Sequence, residues 1–297
     1  MKNITNHITR ILSAGIILHC AGVSLAQAAI IIYDGIDYAD SITGTTINTS
    51  VGGSNGGQGW TSPWVNGLEN SATTGSVGVE SPGLSYSTLQ VTGNALSDPT
   101  SLSRGARREF DNTGLGVDDS SLWFSALYQH TSAGSDFRVK FFADSSLVLT
   151  SSGYATAVNS GIGFNYSGTS GLRVENQATQ LGTGTVLTNN TAYFIVGRID
   201  FKSGNDDVRL WVNPSLTGTP EDSSASQFQS TAIQSTIGNA VAVRWGGTST
   251  GIIDEIRMGN SFVDVAPTTV PEPAYGAAII AVVLGCMLVR RIRPKSY

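Results

Sequence analysis

Apolar and polar residues alternate with a period of two along much of the chain. Residues 137–141 (Phe-Arg-Val-Lys-Phe) place aromatic and Val side chains on one face and basic side chains on the other, and residues 207–212 and 240–245 repeat the pattern. Residues 122–128 and 193–201 are apolar on both faces for part of their length, as in central strands. No helical period is sustained in this middle part. The sequence therefore predicts an all-β chain.

Clusters of Gly, Ser, Thr, Asn and Asp separate the strand candidates, and these are the usual turn residues. About a dozen short strands without helices predict a jelly-roll β-sandwich. Three polar stretches are predicted to be surface loops, namely residues 41–55, 70–81 and 218–235. The further strand candidates are residues 30–33, 89–91, 102–110, 147–150, 161–165, 172–175 and 252–258.

The first 28 residues have the pattern of a secretory signal peptide. Lys2 and Arg10 form a basic region before an apolar stretch at residues 11–25, and Ala26-Gln27-Ala28 forms an A-x-A site. This pattern predicts cleavage between Ala28 and Ala29, with Ala26 as the third recognition residue. An uncleaved N-terminal anchor is the alternative. In either case this segment is not part of the folded domain.

The C-terminal end combines a short motif, an apolar run and a basic cluster. Residues 274–289 carry no charge, and as a helix they would span about 24 Å against a hydrocarbon core of about 30 Å. The pattern predicts a transmembrane helix at residues 274–292 after a linker at residues 267–273. The basic end, residues 293–297, would stay on the cytoplasmic side. A buried helix of a soluble domain is the alternative.

This tail resembles the PEP-CTERM sorting tail of bacterial exosortase substrates. The resemblance rests on the motif Pro271, Glu272 and Pro273, on the apolar span, and on a basic stop formed by Arg290, Arg291 and Arg293. It implies an exosortase-type processing enzyme as a partner, membrane contact through the helix, and cleavage near the motif. It also implies release to the cell surface or extracellular matrix of a bacterium with an outer membrane, where exopolysaccharide is a further expected partner.

Several short sequence segments between the two ends resemble those of exported PEP-CTERM proteins with a concanavalin-A-like or laminin-G-like jelly-roll body. They are residues 33–35, 55–60, 63–64, 198–201, 208–214 and 253–259. The resemblance implies a β-sandwich domain at residues 29–266. These motifs are structural, so no ligand residue is carried over from them.

Charge and cysteine content narrow the function of the body. Residues 29–270 contain 11 basic and 21 acidic residues, a net charge of −10, and no cysteine. The acidic balance argues against nucleic-acid binding. Without disulfides, the exported domain must be held together by its core.

Catalytic residues are not predicted in the body. His130, its only histidine, is expected to be an exposed polar residue at a strand end. No G-x-S-x-G elbow is present, and none of the six glutamates stands in the E-x-D-x-x-E pattern of retaining glycanases. The sequence therefore predicts a protein that is not an enzyme.

Two kinds of ligand remain open for the body. Calcium suits acidic loops such as Asp34, Asp37 and Asp40, although these are also common turn residues and no cofactor is assigned. Trp60 and Trp64, in a glycine-rich segment, could contact a glycan or could instead anchor the loop by core packing.

Two further predicted loops also contain acidic residues, at positions 118–119 and 205–207. Asp254 is predicted to face inward beside Ile252 and Ile256, with the amides of a neighbouring turn favoured over a metal as its partner. The leading hypothesis is a non-enzymatic structural or adhesive surface protein. A lectin-like, calcium-dependent or calcium-free module is the alternative, followed by a glycan-degrading enzyme.

Overall fold

The computed structural model describes seven segments of the chain. The predicted signal peptide, its cleavage residues, the sorting motif, the apolar span and the basic stop lie outside them, as do strand candidate 147–150 and most of loop 70–81. The described residues are 30–68, 77–100, 104–132, 135–145, 160–233, 238–247 and 249–268.

Two antiparallel sheets make up the described part of the chain. The eight-stranded sheet contains, in spatial order, β15 (Gln227–Thr231), β14 (Asp206–Val212), β13 (Tyr193–Asp200), β8 (Ser121–His130), β17 (Gly251–Gly259), β6 (Ala95–Asp98) and β5 (Gly78–Glu80), and β1 (Ile30–Asp34) also pairs with β17. The seven-stranded sheet contains β12 (Thr179–Thr185), β11 (Gly171–Asn176), β10 (Ile162–Ser167), β9 (Ser135–Ala143), β16 (Ala240–Gly247), β7 (Arg104–Glu109) and β4 (Val65–Leu68).

Smaller elements complete the described fold. Strands β2 (Ile42–Thr43) and β3 (Thr46–Ile47) form a hairpin, helix α1 is Phe262–Val265, and a 3-10 turn covers Asp222–Ser224. No helix in these segments is long and apolar enough to cross a membrane.

The main core lies between the two sheets. The Phe124 ring of β8 lies 4.5 Å from the Phe141 ring of β9, and the Tyr128 ring lies 4.3 Å from that of Phe137. These side chains sit at every second position of their strands, which is the alternation expected for strands with one face in a sandwich core. The predicted β-sandwich is therefore confirmed.

A second apolar layer covers the other face of the eight-stranded sheet. Trp123 stacks on Trp211 at 5.5 Å between ring centroids, and Phe262 of α1 lies against Trp123 at 5.6 Å. Leu84 and Leu89 pack into the same cluster from the segment before β6. The centre of this sheet is therefore buried on both faces, which explains why β8 and β13 are apolar on both sides.

Some sequence predictions placed strands and loops wrongly. The predicted loop 41–55 contains the β2–β3 hairpin, and the predicted loop 218–235 contains β15. Residues 89–91 form only an isolated bridge, between Leu89 and Thr268, and no strand. The edge strands are polar and half exposed, so they lack the alternation by which the central strands are recognised.

Candidate functional site

The glycine-rich segment, residues 55–64, runs along β1. Tyr33 and Gln58 exchange two backbone hydrogen bonds, of 3.0 and 2.8 Å. Gly57 and Gly59 have φ angles of +71° and +79°, and a Cβ atom at either position would collide with a carbonyl oxygen of β1. The glycines are therefore required for this close approach.

Asp34, the last residue of β1, lies at the centre of a buried polar network. Its side chain accepts hydrogen bonds from the Trp64 indole N–H at 2.9 Å, from the Tyr38 hydroxyl at 2.9 Å and from the backbone N–H of Ile36 at 2.9 Å. Arg108 of β7 forms an ion pair with Asp34 at 2.6 Å, and its side chain is fully buried. Burial of the Asp34 carboxylate is therefore compensated by hydrogen bonds and by a counter-ion.

Arg108 uses its other N–H groups on the glycine-rich segment. Its Nε donates to the carbonyl oxygen of Ser62 at 2.9 Å, and its Nη2 donates to Oδ1 of Asn55 at 2.6 Å. Its guanidinium also lies 4.8 Å from the centre of the Trp60 ring. We call the contacts of Asp34 and Arg108 the Asp34–Arg108 anchor. The alternation of β7 could have indicated Arg108, because it shares a face with the core residues Ala106 and Phe110.

The two tryptophans proposed to contact a glycan differ in exposure. Trp64 is only 1% exposed, so neither face of its indole is open to a ligand, and it packs as a core anchor. Trp60 is half-buried and donates its indole N–H to the carbonyl oxygen of Tyr33 at 2.9 Å. The guanidinium of Arg108 covers part of this ring. Of the pair, only Trp60 could meet a ligand.

The acidic loops are used differently from one another. Asp34 is engaged by Arg108, whereas Asp37 and Asp40 are exposed, and Asp207 pairs with Lys202 at 2.6 Å. Within the described segments, no three His, Cys, Asp or Glu side chains are grouped so that they could hold a metal. Calcium binding therefore stays a prediction.

Asp254 and Glu255 form a second buried cluster at a bulge in β17. Oδ2 of Asp254 accepts a hydrogen bond from the backbone N–H of Leu84 at 2.8 Å, as predicted for an amide of a neighbouring turn. Burial, reinforced by the charge of Glu255, raises the pKa of Asp254 to about 8. Glu255 has a φ of +55°, accepts the Thr92 N–H at 2.6 Å and pairs with Arg257. The cluster attaches the segment before β6 to the sheet.

The bulge also changes the face on which Asp254 lies. Asp254 is opposite Leu127 of the second apolar layer, whereas Ile256 and Met258 lie in the main core. The prediction that Asp254 shares a face with Ile256 is therefore wrong, because the register shifts between Asp254 and Arg257.

A third ionic cluster lies on the outward side of the seven-stranded sheet. Arg138 contacts Asp136 at 2.9 Å and Glu175 at 3.1 Å, and Lys140 contacts Glu175 at 3.3 Å. Arg244 contacts Asp136 at 3.0 Å. Burial lowers the pKa of Lys140 to about 8, although the Glu175 carboxylate opposes this shift. Opposite charges on three strands of this sheet, β9, β11 and β16, are therefore paired.

His130 is buried, so the prediction that it would be exposed is wrong. Strand β8 continues through His130, and its Nε2 lies 3.0 Å from the hydroxyl of Tyr166. The two rings are 4.3 Å apart, and burial lowers the pKa of the imidazole. The contacts place this histidine in the packing at one end of the core.

Three surface cavities of the described segments have no residue of the anchor in their lining. One, about 470 Å³, lies beside Trp211 and is lined mainly by the loop after β14, including Glu221. Another, about 420 Å³, lies beside the β2–β3 hairpin and Arg104, and a third, about 180 Å³, is lined by Glu80 and Asp98. Asp98 also contacts Arg104 at 3.4 Å.

Comparison with known proteins gives limited similarity. No family model matches the sequence, and no curated protein matches it. Over 66% of its length the chain is similar to Trypanosoma rangeli sialidase, with 10% identity and a TM-score of 0.35, and it spans 30% of that protein. Over 61% it is similar to the exoplasmic/lumenal domain of VIP36 in a Ca²⁺/Man3GlcNAc-bound form, with 11% identity, a TM-score of 0.37 and 84% of that domain covered.

The Caenorhabditis elegans galectin LEC-6 is similar over 48% of this chain and 87% of its own, with 11% identity and a TM-score of 0.27. These values are low, so the fold assignment rests on the sheets themselves. No residue of this chain takes a role from these proteins.

The anchor predicts a large effect of Asp34→Asn on stability. The substitution leaves the buried Arg108 without its counter-ion, so we expect the free energy of unfolding to fall by about 3–5 kcal/mol. Asp37→Asn, at an exposed position three residues on, should change it by less than about 0.5 kcal/mol. Urea unfolding followed by tryptophan fluorescence measures both. Equal effects of the two substitutions would contradict the structural role of the pair.

Asp254 predicts a pH dependence of stability. Its pKa in the folded protein is about 8, against about 3.9 when unfolded, so between these values the folded state holds the extra proton. The free energy of unfolding should therefore fall as pH rises from about 4 to 8. Asp254→Asn should flatten this slope, leaving the part due to Glu255, whose pKa is also raised by burial.

Urea unfolding at a series of pH values provides the measurement. Asp118→Asn, at an exposed loop position, is the control and should keep the slope of the unmodified protein. A slope in Asp254→Asn as steep as in that control would show that Asp254 does not carry the effect.

Proposed function

We propose that this chain is an exported surface or extracellular-matrix protein with a non-enzymatic, structural or adhesive role. Its signal peptide would direct export, and its C-terminal tail would hold it in the membrane until an exosortase-type enzyme processes it near Pro271-Glu272-Pro273. The mature β-sandwich would then stay at the surface or in the matrix of a bacterium with an outer membrane.

One observation supports a non-enzymatic role above the others. Seven carboxylates are buried in the described segments, and each contacts a cation or a backbone N–H group of the protein. General acid–base or nucleophilic catalysis instead needs a group within reach of a substrate. The pairs are Asp34 with Arg108, Asp98 with Arg104, Glu175 with Lys140 and Glu255 with Arg257, while Asp206, Asp254 and Asp264 accept from backbone N–H groups.

Processing of the tail is the first test of this function. We expect mass spectrometry of surface material to find a chain that begins at Ala29 and lacks residues 295–297. Replacing Pro271, Glu272 and Pro273 together by alanine should retain the tail and leave the protein in the membrane fraction. Pro267→Ala, upstream of the motif, is the matched control and should be processed normally. Residues 295–297 on mature surface protein would refute processing.

Carbohydrate binding is the second candidate function, and the half-buried Trp60 is the observation that favours it. Flat sugar faces stack on indole rings, and exposed polar residues precede Trp60 in the same segment, among them Asn55 and Gln58. Calcium would be required only if the acidic loops take part.

A glycan array with the exported chain, with and without calcium, tests this candidate. For any glycan bound, Trp60→Ala should weaken affinity by about tenfold, or about 1.4 kcal/mol. Phe228→Ala is the matched control, because its ring is 51% exposed and also lies 4.8 Å from an arginine guanidinium. Absence of binding in both conditions would reject this candidate, and release of reducing sugar would overturn the non-enzymatic assignment.

A further inference from the structure

The chain contains two Asn-Gly pairs, and the fold treats them differently. At such a pair the backbone nitrogen of glycine can attack the asparagine side-chain amide, since glycine offers no side chain to hinder the approach. Asn66 and Gly67 belong to β4, where they pair with Ala106 and Gly105 of β7. Asn55 and Gly56 lie in the exposed part of the glycine-rich segment. Pairing in a sheet restrains the first pair but not the second.

The backbone nitrogen of Gly56 is the nucleophile that this reaction requires. Its N–H has no hydrogen-bond partner in the described part of the chain, so no such bond must break before it attacks. Both Asn55 and Gly56 are exposed, so water can take up the proton that this nitrogen loses.

Arg108 polarises the amide of Asn55. Its Nη2 donates to Oδ1 of Asn55 at 2.6 Å, and its guanidinium is held by Asp34 and by the carbonyl oxygen of Ser62. When the Gly56 nitrogen adds to the amide carbon, Oδ1 gains negative charge, and a preorganised cation stabilises that charge more than it stabilises the neutral amide. Oδ1 of Asn66, by contrast, is buried without any donor. Activation of the carbonyl is therefore specific to Asn55.

We propose that Asn55-Gly56 is a self-modification site, at which Arg108 promotes conversion of the asparagine to aspartate or isoaspartate. The Gly56 nitrogen loses its proton to water and bonds to Cγ of Asn55. The side-chain nitrogen takes up a proton from water, and its bond to Cγ then breaks to release ammonia. Water then opens the cyclic imide at either carbonyl and leaves a carboxylate. No oxidant or reductant is needed.

The product would change the anchor. A carboxylate at position 55 makes a charge-assisted contact with Arg108, which is stronger than the present contact with a neutral amide. Arg108 would then bridge two carboxylates, that of Asp34 and the new one, and the loop would be joined to the core by charge. This inference is independent of the proposed function, because it needs neither the tail nor a glycan.

Peptide-resolved mass spectrometry of the full chain tests the proposal. The purified protein is incubated in mildly alkaline buffer, folded or in urea, and amide loss is followed at Asn55 and Asn66, with isoaspartyl methyltransferase labelling as a second readout. In urea the two asparagines should react at similar rates. In the folded protein Asn55 should react at least as fast as in urea, while Asn66 should be protected.

Two substitutions separate the parts of the mechanism. Gly56→Ala should suppress the reaction while keeping Arg108 in place. Arg108→Lys should slow it in the folded protein on the order of tenfold to a hundredfold, with no effect in urea. If Arg108→Lys does not fold, the rates of amide loss at Asn55 in folded and in urea-treated unmodified protein still test the proposal. Slower loss of the Asn55 amide in the folded protein than in urea, or equal rates at Asn55 and Asn66 when folded, would overturn the proposal.

Discussion

The buried ion pair between Asp34 and Arg108 joins the two sheets. Asp34 ends β1 of the eight-stranded sheet and Arg108 lies on β7 of the seven-stranded sheet, so their 2.6 Å contact crosses the core. Burying two charges is costly unless every donor and acceptor finds a partner. Here the partners come from the glycine-rich segment, through Ser62, Asn55 and the indole N–H of Trp64. The position of that loop and the stability of the pair therefore depend on each other.

Alternation in the sequence identified the strands that have one face in the core. Strands β9, β14 and β16 were predicted in this way, because their inward and outward residues differ in polarity. The same criterion missed the edge strands β12 and β15, whose residues are mostly polar or small and, apart from the buried Gln227, half-buried or exposed. It also did not predict the second apolar layer, in which Trp123 stacks on Trp211. The central sheet could therefore be predicted from residue pattern, but its covering layer depends on irregular segments.

Less of the candidate site than of the fold could be predicted, because its buried polar residues depend on a bulge and on contacts between distant segments. The bulge in β17 shifts the register of the strand. The period-two alternation therefore assigns residues on its two sides to the same face when they lie on opposite faces. Glu255 has a positive φ, and its carboxylate is held by Thr92 from a distant segment and by Arg257 at the bulge itself. In the same way, a short-range pattern cannot show that His130 at a strand end is covered by Tyr166. Apolar positions can be read from spacing, whereas buried polar positions are decided by their partners.

The distribution of charge connects the structure with the proposed role. The body carries a net charge of −10, yet its buried acids are matched by internal cations or amides. Such matching is what burial of a carboxylate requires when the group serves the fold. Near the anchor, the surface of the sandwich carries the half-buried indole of Trp60 and the exposed Asn55-Gly56 pair. Both are positioned by Arg108, so a residue whose first role is to stabilise the fold also controls the chemistry of the adjacent surface.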